Sequence, residues 1–148
     1  MRGSIKDGLM PKDTYGDWCV PPESPKLIHS QDPARKTDGT LLGTAYFYKM
    51  LRLMQRYATL LGKQDDATEY DAVANTMKAA LLKRFFNASL NQFDNGTQTS
   101  AILPLAFGLE PAGTRNAVFD HLVSKIHNES HDHVGVGLIG AQWLMRTL

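Results

Sequence analysis

The chain has 148 residues, 43% of them hydrophobic and 21% charged, ordinary proportions for about one globular domain with a real core. Sixteen basic against fifteen acidic side chains leave a net charge of +1, which offers no electrostatic footprint for nucleic acid and no basic run for a membrane surface. Apolar stretches are interrupted well before the roughly 18 residues a membrane span needs, and the single cysteine, Cys19, excludes an internal disulfide.

Residues 1 to 36 hold five of the seven prolines and read as irregular loop. Met1 to Gly8 contain no apolar h-region, so the chain shows no signal peptide of its own. The densest chemistry in this loop is Tyr15-Gly16-Asp17-Trp18-Cys19-Val20-Pro21-Pro22-Glu23. An indole beside a carboxylate, on a loop stiffened by Gly and two Pro, suits a sugar platform. The ring would stack on the C–H side of a pyranose while Asp17 accepts from its hydroxyls. The same stretch also fits a Trp buried on an ordinary Pro-stiffened loop.

Helical spacing begins at Thr37 or Thr40 and runs to Leu61, with Leu42, Ala45, Tyr46, Met50, Leu53, Met54, Tyr57 and Leu61 as its apolar positions and Gly62 as its stop. Asp66 and Glu69 form a capping pair for a second helix, whose apolar face is Tyr70, Val73, Ala74, Met77, Leu81 and Phe85. Residues 87 to 96 are a turn-rich connector with room for a short extended piece. A third helix runs from Thr97 or Thr99 to Phe107, with Gly108 as its stop and Pro104 against it in the middle. A fourth is predicted to open at Pro111, placing Val118, Phe119, Leu122, Val123 and Ile126 on one face. A fifth, from about Val136 through Leu148, is apolar on most sides and expects neighbours all round. No stretch alternates as a sheet strand would. The expected fold is all-α, five helices after a loop, and both ends read as cut from a larger helical domain.

Two further segments could carry chemistry. Asp94-Asn95-Gly96-Thr97-Gln98-Thr99 reads either as an Asn-Gly turn with a Thr cap or as the mouth of a polar pocket presenting Gln98 and free helix-start N–H groups. His127, His131 and His133 fall within seven residues, but they lack the helical His-x-x-x-His spacing with a Glu between, and no Cys is near. No metal and no cofactor are therefore expected. His127 and His131 suit an exposed helix end, and His133 suits a substrate contact. Asp17, Glu23, Asp94 and Asp132 are the acidic candidates for the carboxylate pair that glycosidic hydrolysis requires.

Tyr-Gly-Asp-Trp with Pro-Pro-Glu resembles the Gly-Asp-Trp loop of the α-L-rhamnosidases of glycoside hydrolase family 78. Thr44-Ala-Tyr-Phe-Tyr48 is similar to the inner helix that follows that loop. Asn95-Gly-Thr-Gln-Thr99 with Leu103 to Pro111, and His133 with Gly137-Leu-Ile-Gly140, match two later stretches in the same order. The resemblance covers nearly the whole chain. It implies part of an (α/α)6 barrel, with residues 1–36 as a substrate-site loop and 37–148 as barrel helices. It also implies an inverting bacterial glycoside hydrolase releasing L-rhamnose, expected in the periplasm or outside the cell.

Trp18 carries over as the rhamnose-stacking wall, and Asp17, Gln98 and His133 as polar lining. The two catalytic carboxylates are expected outside this chain, since the family's Asp-Glu-Arg and Trp-Glu motifs do not occur in it. The expected partners are an α-L-rhamnoside and the missing parts of the barrel. A non-catalytic helical scaffold is the rival reading, although no repeat of 30 to 45 residues is visible, and a different (α/α)6 glycosidase or lyase is another.

Overall fold

The computed structural model describes residues 5–11 and 14–148; the loop expected over 1–4 and 12–13 lies outside the described residues. Five α-helices follow the N-terminal loop: α1 (Gly39–Leu60), α2 (Gln64–Phe85), α3 (Gln98–Phe107), α4 (Arg115–Ser124) and α5 (Leu138–Thr147). A two-residue ladder of β1 (Phe86–Asn87) and β2 (Gln92–Phe93) fills the 87–96 connector, the short extended piece expected there.

Chain chemistry explains most of the boundaries. Asp38 caps α1 by accepting from the N–H of Thr40 at 2.6 Å, and Thr97 caps α3 by accepting from Ser100. Gly62 and Gly108 both turn left-handed just past their helices, as C-terminal glycines do. Pro104 sits inside α3, and the helix continues past it with Pro104 buried.

Two predicted starts are displaced. The second helix opens at Gln64 without a side-chain cap, so Asp66 is not its cap; Asp65 and Asp66 lie in the first turn, where the dipole still favours them. Pro111 does not open α4. Thr114 N–H closes a turn onto Pro111 C=O at 3.1 Å, and left-handed Gly113 (φ 80°) interrupts any helix before Arg115.

α2 packs along α1 as one hairpin and α4 packs on α3 as the next, while α1, α3 and α5 lie side by side. The starts of the last three meet at one end. Thr37 and Thr97, which precede α1 and α3, share a hydrogen bond of 2.6 Å, and Asp94 accepts the Asp38 N–H at 2.8 Å. Where α3 ends, Phe107 stands edge-on to Tyr46 of α1 and Trp143 of α5, with ring centroids 5.4 and 4.8 Å apart. Parallel helices inside and returning helices outside form the two layers of a helical barrel. The core lies between the layers, around Leu41, Met77, Leu81, Phe93, Ile102 and Leu122.

Burial departs from the predicted faces on α1 and α5, and at Val123 on α4. The α2 face is covered as expected, but on α1 Met50, Leu53, Met54 and Tyr57 are 39–51% exposed, and Leu61 is 72% exposed. The apolar side chains that α1 does bury are Leu41, Leu42, Ala45, Phe47, Tyr48, Leu51 and Ala58. A hydrophobic stripe at helical spacing marks a contact face, but not whether the contact lies within these residues. On α5 the same holds: Leu144 is buried, and Leu138 and Met145 are exposed.

Candidate functional site

The end where α1, α3 and α5 begin is roofed by the N-terminal loop, and Asp17 and Trp18 are its point of attachment. Asp17 is buried and accepts four hydrogen bonds: from the Thr99 hydroxyl, from Gly137 N–H at 2.9 Å, from Ile139 N–H at 2.9 Å and from Gly140 N–H at 3.1 Å. The Leu138 N–H donates to the Trp18 carbonyl at 2.7 Å. A helix start exposes four N–H groups with no partner in the helix. Here residues 137 to 140 give all of theirs to one dipeptide some 120 residues upstream.

Two glycines make that approach possible. A methyl group at Gly137 would stand 2.3 Å from the Trp18 carbonyl oxygen, and one at Gly140 would stand 2.2 Å from the Thr99 hydroxyl. The Gly-Asp-Trp loop and the Gly-Leu-Ile-Gly stretch are thus two halves of one joint.

A carboxylate has about four lone-pair sites, and those of Asp17 are filled from within the protein. The Asp17 expected to accept from sugar hydroxyls thus has both oxygens engaged twice from within the protein. Gln98 is likewise turned inward and 2% exposed. Its amide N–H groups go to the Ser130 hydroxyl and the His133 carbonyl, both at 3.1 Å, and its carbonyl accepts from Gly135 N–H at 2.9 Å. It clips the 130–135 loop to α3 and, with that loop, forms part of the wall of a cleft.

Trp18 stays 55% exposed over a cleft of about 700 Å3, whose other walls include Tyr15, His29, Lys36, Asp38 and Arg84. His133 is elsewhere. It lines an adjoining cleft of about 560 Å3 with Pro21, Arg35, Lys125 and Glu129, and its Nδ1 lies 2.6 Å from the His131 carbonyl. Trp18 and Asp17 line the first cleft, Gln98 and His133 the second, and the two pairs are linked through Thr99, which follows Gln98 and donates to Asp17, and through the 130–140 segment.

The remaining acidic candidates have internal partners too. Glu23 braces its own loop through the Ser30 hydroxyl and the Asp32 N–H, and the Ser30 bond above all holds its pKa down to about 2. Asp94 is pushed upward by burial, with the Asp38 N–H bond acting the other way. Asp132 pairs with His127 Nδ1 at 2.6 Å and raises the histidine's pKa; both side chains are exposed. Among the described residues no three side chains converge as a metal site.

Sequence reasoning missed Asp38 and Arg84, whose Nη2 and Oδ2 lie 3.7 Å apart in the Trp18 cleft. Asp38-Gly39-Thr40 carried a legible cap signal. Arg84, at the far end of α2, carried none, because only the hairpin brings it there.

Comparison with known proteins agrees with this architecture. Residues 2–148 match the family described as bacterial alpha-L-rhamnosidase 6 hairpin glycosidase domain. An alpha-L-rhamnosidase of Alteromonas sp. (strain LOR) is 32% identical over 144 residues, which is 97% of this chain and 15% of that protein. One from Streptomyces avermitilis is 34% identical over 96% of this chain and 12% of that protein. The crystal structure of Streptomyces avermitilis alpha-L-rhamnosidase complexed with L-rhamnose superposes with a TM-score of 0.82 at 28% identity, covering 99% of this chain and 13% of that one. An alpha-L-rhamnosidase structure from Dictyoglumus thermophilum gives 0.81 at 28% identity, over 99% and 16%. The chain spans only about one-eighth to one-sixth of the relatives it matches. With the family match running over residues 2–148 and the fold superposing over 99% of its length, the chain belongs to the bacterial α-L-rhamnosidase six-hairpin glycosidase domain family.

Proposed function

We propose that this chain is the sugar-wall segment of an inverting glycoside hydrolase that releases terminal L-rhamnose from α-L-rhamnosides. The observation that carries the reading is Trp18, half exposed over a 700 Å3 cleft at the helix-start end of the inner layer. Rhamnose is a 6-deoxy sugar with an apolar C5-methyl edge, and an indole face suits it. Its relative from Streptomyces avermitilis is described in complex with L-rhamnose. The acid and base of the inverting mechanism, which flank a water, come from parts of the enzyme outside these residues.

The physical partner of this segment is the rest of its own barrel. The exposed stripe of α1 and the outer side of α5 are the two edges where further helices close the ring.

The test is hydrolysis of an aryl α-L-rhamnoside by the full-length parent, by its Trp18→Ala variant and by this chain alone. The parent is expected to be active and the chain inactive. Trp18→Ala is expected to raise KM and to cost kcat/KM about 1–3 kcal/mol of transition-state binding. Unchanged kinetics would return Trp18 to a packing role, and activity in the short chain would mean the carboxylates lie within it.

A further inference from the structure

We infer that Asp17 is a positioning residue that acts on substrate binding through Trp18: by capping α5 across the fold, it sets where the indole stands over the cleft. The inference rests on the reading of Trp18 as the sugar wall.

Two observations carry it. The Asp17 carboxylate is buried with both oxygens doubly engaged, by Thr99, Gly137, Ile139 and Gly140, so it has nothing left to offer a ligand. The backbone on either side of the ring is tied down as well. The Trp18 carbonyl takes the Leu138 N–H, and two residues on the Val20 carbonyl takes the Ser30 N–H at 2.9 Å. Between these anchors Cys19 is held left-handed, at φ 64°, which a side chain with a Cβ adopts only when its surroundings over-determine it. Trp18 therefore hangs between two fixed points, and the α5 cap is one of them. Loss of the cap frees the loop to relax at Cys19 and carries the ring away from the sugar.

The experiment uses the full-length enzyme with Asp17→Asn, Trp18→Ala, the double variant, and Leu81→Ala as a control for lost stability alone. Leu81 is buried in the α1–α2 hairpin and lines neither cleft. The Asn amide keeps the shape of Asp17 but turns an N–H toward N–H donors. For an aryl α-L-rhamnoside, Asp17→Asn is expected to raise KM about tenfold with kcat changed much less, and to add almost nothing once Trp18 is Ala. Leu81→Ala is expected to lower Tm at unchanged KM.

A wild-type KM for Asp17→Asn, whatever its Tm, overturns the inference, as does a KM effect that persists in full without Trp18. An unchanged KM for Trp18→Ala overturns the wall reading and this inference with it. A raised KM for Trp18→Ala beside an unchanged one for Asp17→Asn overturns the positioning role alone. If Asp17→Asn is not recovered folded, Thr99→Val, which removes one donor of the four, decides instead. About a threefold KM rise that vanishes in the Trp18→Ala background supports the inference, and no rise overturns it.

Discussion

Gly137 shows how much one absent methyl group can matter. Its φ is −86°, open to any residue, so the requirement for glycine is space alone. An alanine there would place Cβ 2.3 Å from the Trp18 carbonyl and 2.5 Å from the Asp17 carbonyl, both backbone atoms unable to swing aside. In the intact enzyme Gly137→Ala is expected to destabilise by about 1–3 kcal/mol through overpacking, and to raise KM because the loop carrying Trp18 is what must yield. Thermal unfolding and rhamnoside kinetics check both parts, and an unshifted Tm would show that the joint is slack.

Glu23 makes a prediction in pH. Its folded pKa, about 2, lies below the ordinary 4.5, so its bonds stabilise the loop fully above about pH 4.5 and are lost as pH falls through about 2. Amide protection of Gln31 and Asp32 should fall across that window, and Glu23→Gln should show loosened amides already at neutral pH. Equal protection in the two proteins at pH 7 would remove Glu23 as the brace.

Among the elements, α3 depends on the residue just before it. The Thr97 hydroxyl accepts from Ser100 N–H at 3.3 Å and meets the Thr37 hydroxyl at 2.6 Å, so it caps α3 and fastens the approach to α1. Thr97→Ala is expected to cost about 2 kcal/mol, a lost cap plus a buried Thr37 hydroxyl left unpaired, whereas Thr97→Ser should retain most of the stability. Denaturant unfolding of the two variants tests this, and equal losses would deny the hydroxyl its role.

Element boundaries were legible wherever a local signal decided them: Gly62, Gly108 and the Thr97 cap stand as expected. They were not legible where two local signals competed. Pro111 is a favoured helix opener, yet left-handed Gly113 two residues later breaks the run and delays α4 to Arg115.

At the scale of the molecule, the helices form part of a ring with unsatisfied edges. Met50, Leu53, Met54, Tyr57 and Leu60 line one side of α1, continued by Leu61 just past it, all at least 39% exposed, and Leu138 and Met145 on α5 and Leu148 just after it lie exposed. Contiguous apolar surface of this kind drives association. The isolated chain is expected to bind 8-anilinonaphthalene-1-sulfonate and to self-associate in sedimentation, and Leu53→Lys with Leu60→Lys should reduce both. A monomer that ignores the dye would mean these edges need no partner.

The amino-acid sequence by itself determined the helical class, the order of the helices and the family resemblance, because caps, glycine stops and 3.6-residue periodicity are set by neighbours along the chain. It also singled out Asp17, Trp18, Gln98 and the 133–140 stretch as belonging together. Which partners each of them bonds was decided only by the tertiary structure. Asp17 reads the same as a sugar ligand or as a helix cap until α5 is brought against it from some 120 residues away and its lone pairs are filled. Gln98 and His133 came together on the neighbouring cleft for the same reason: a polar side chain bonds to whatever the fold places beside it, and residues distant in sequence supply those partners.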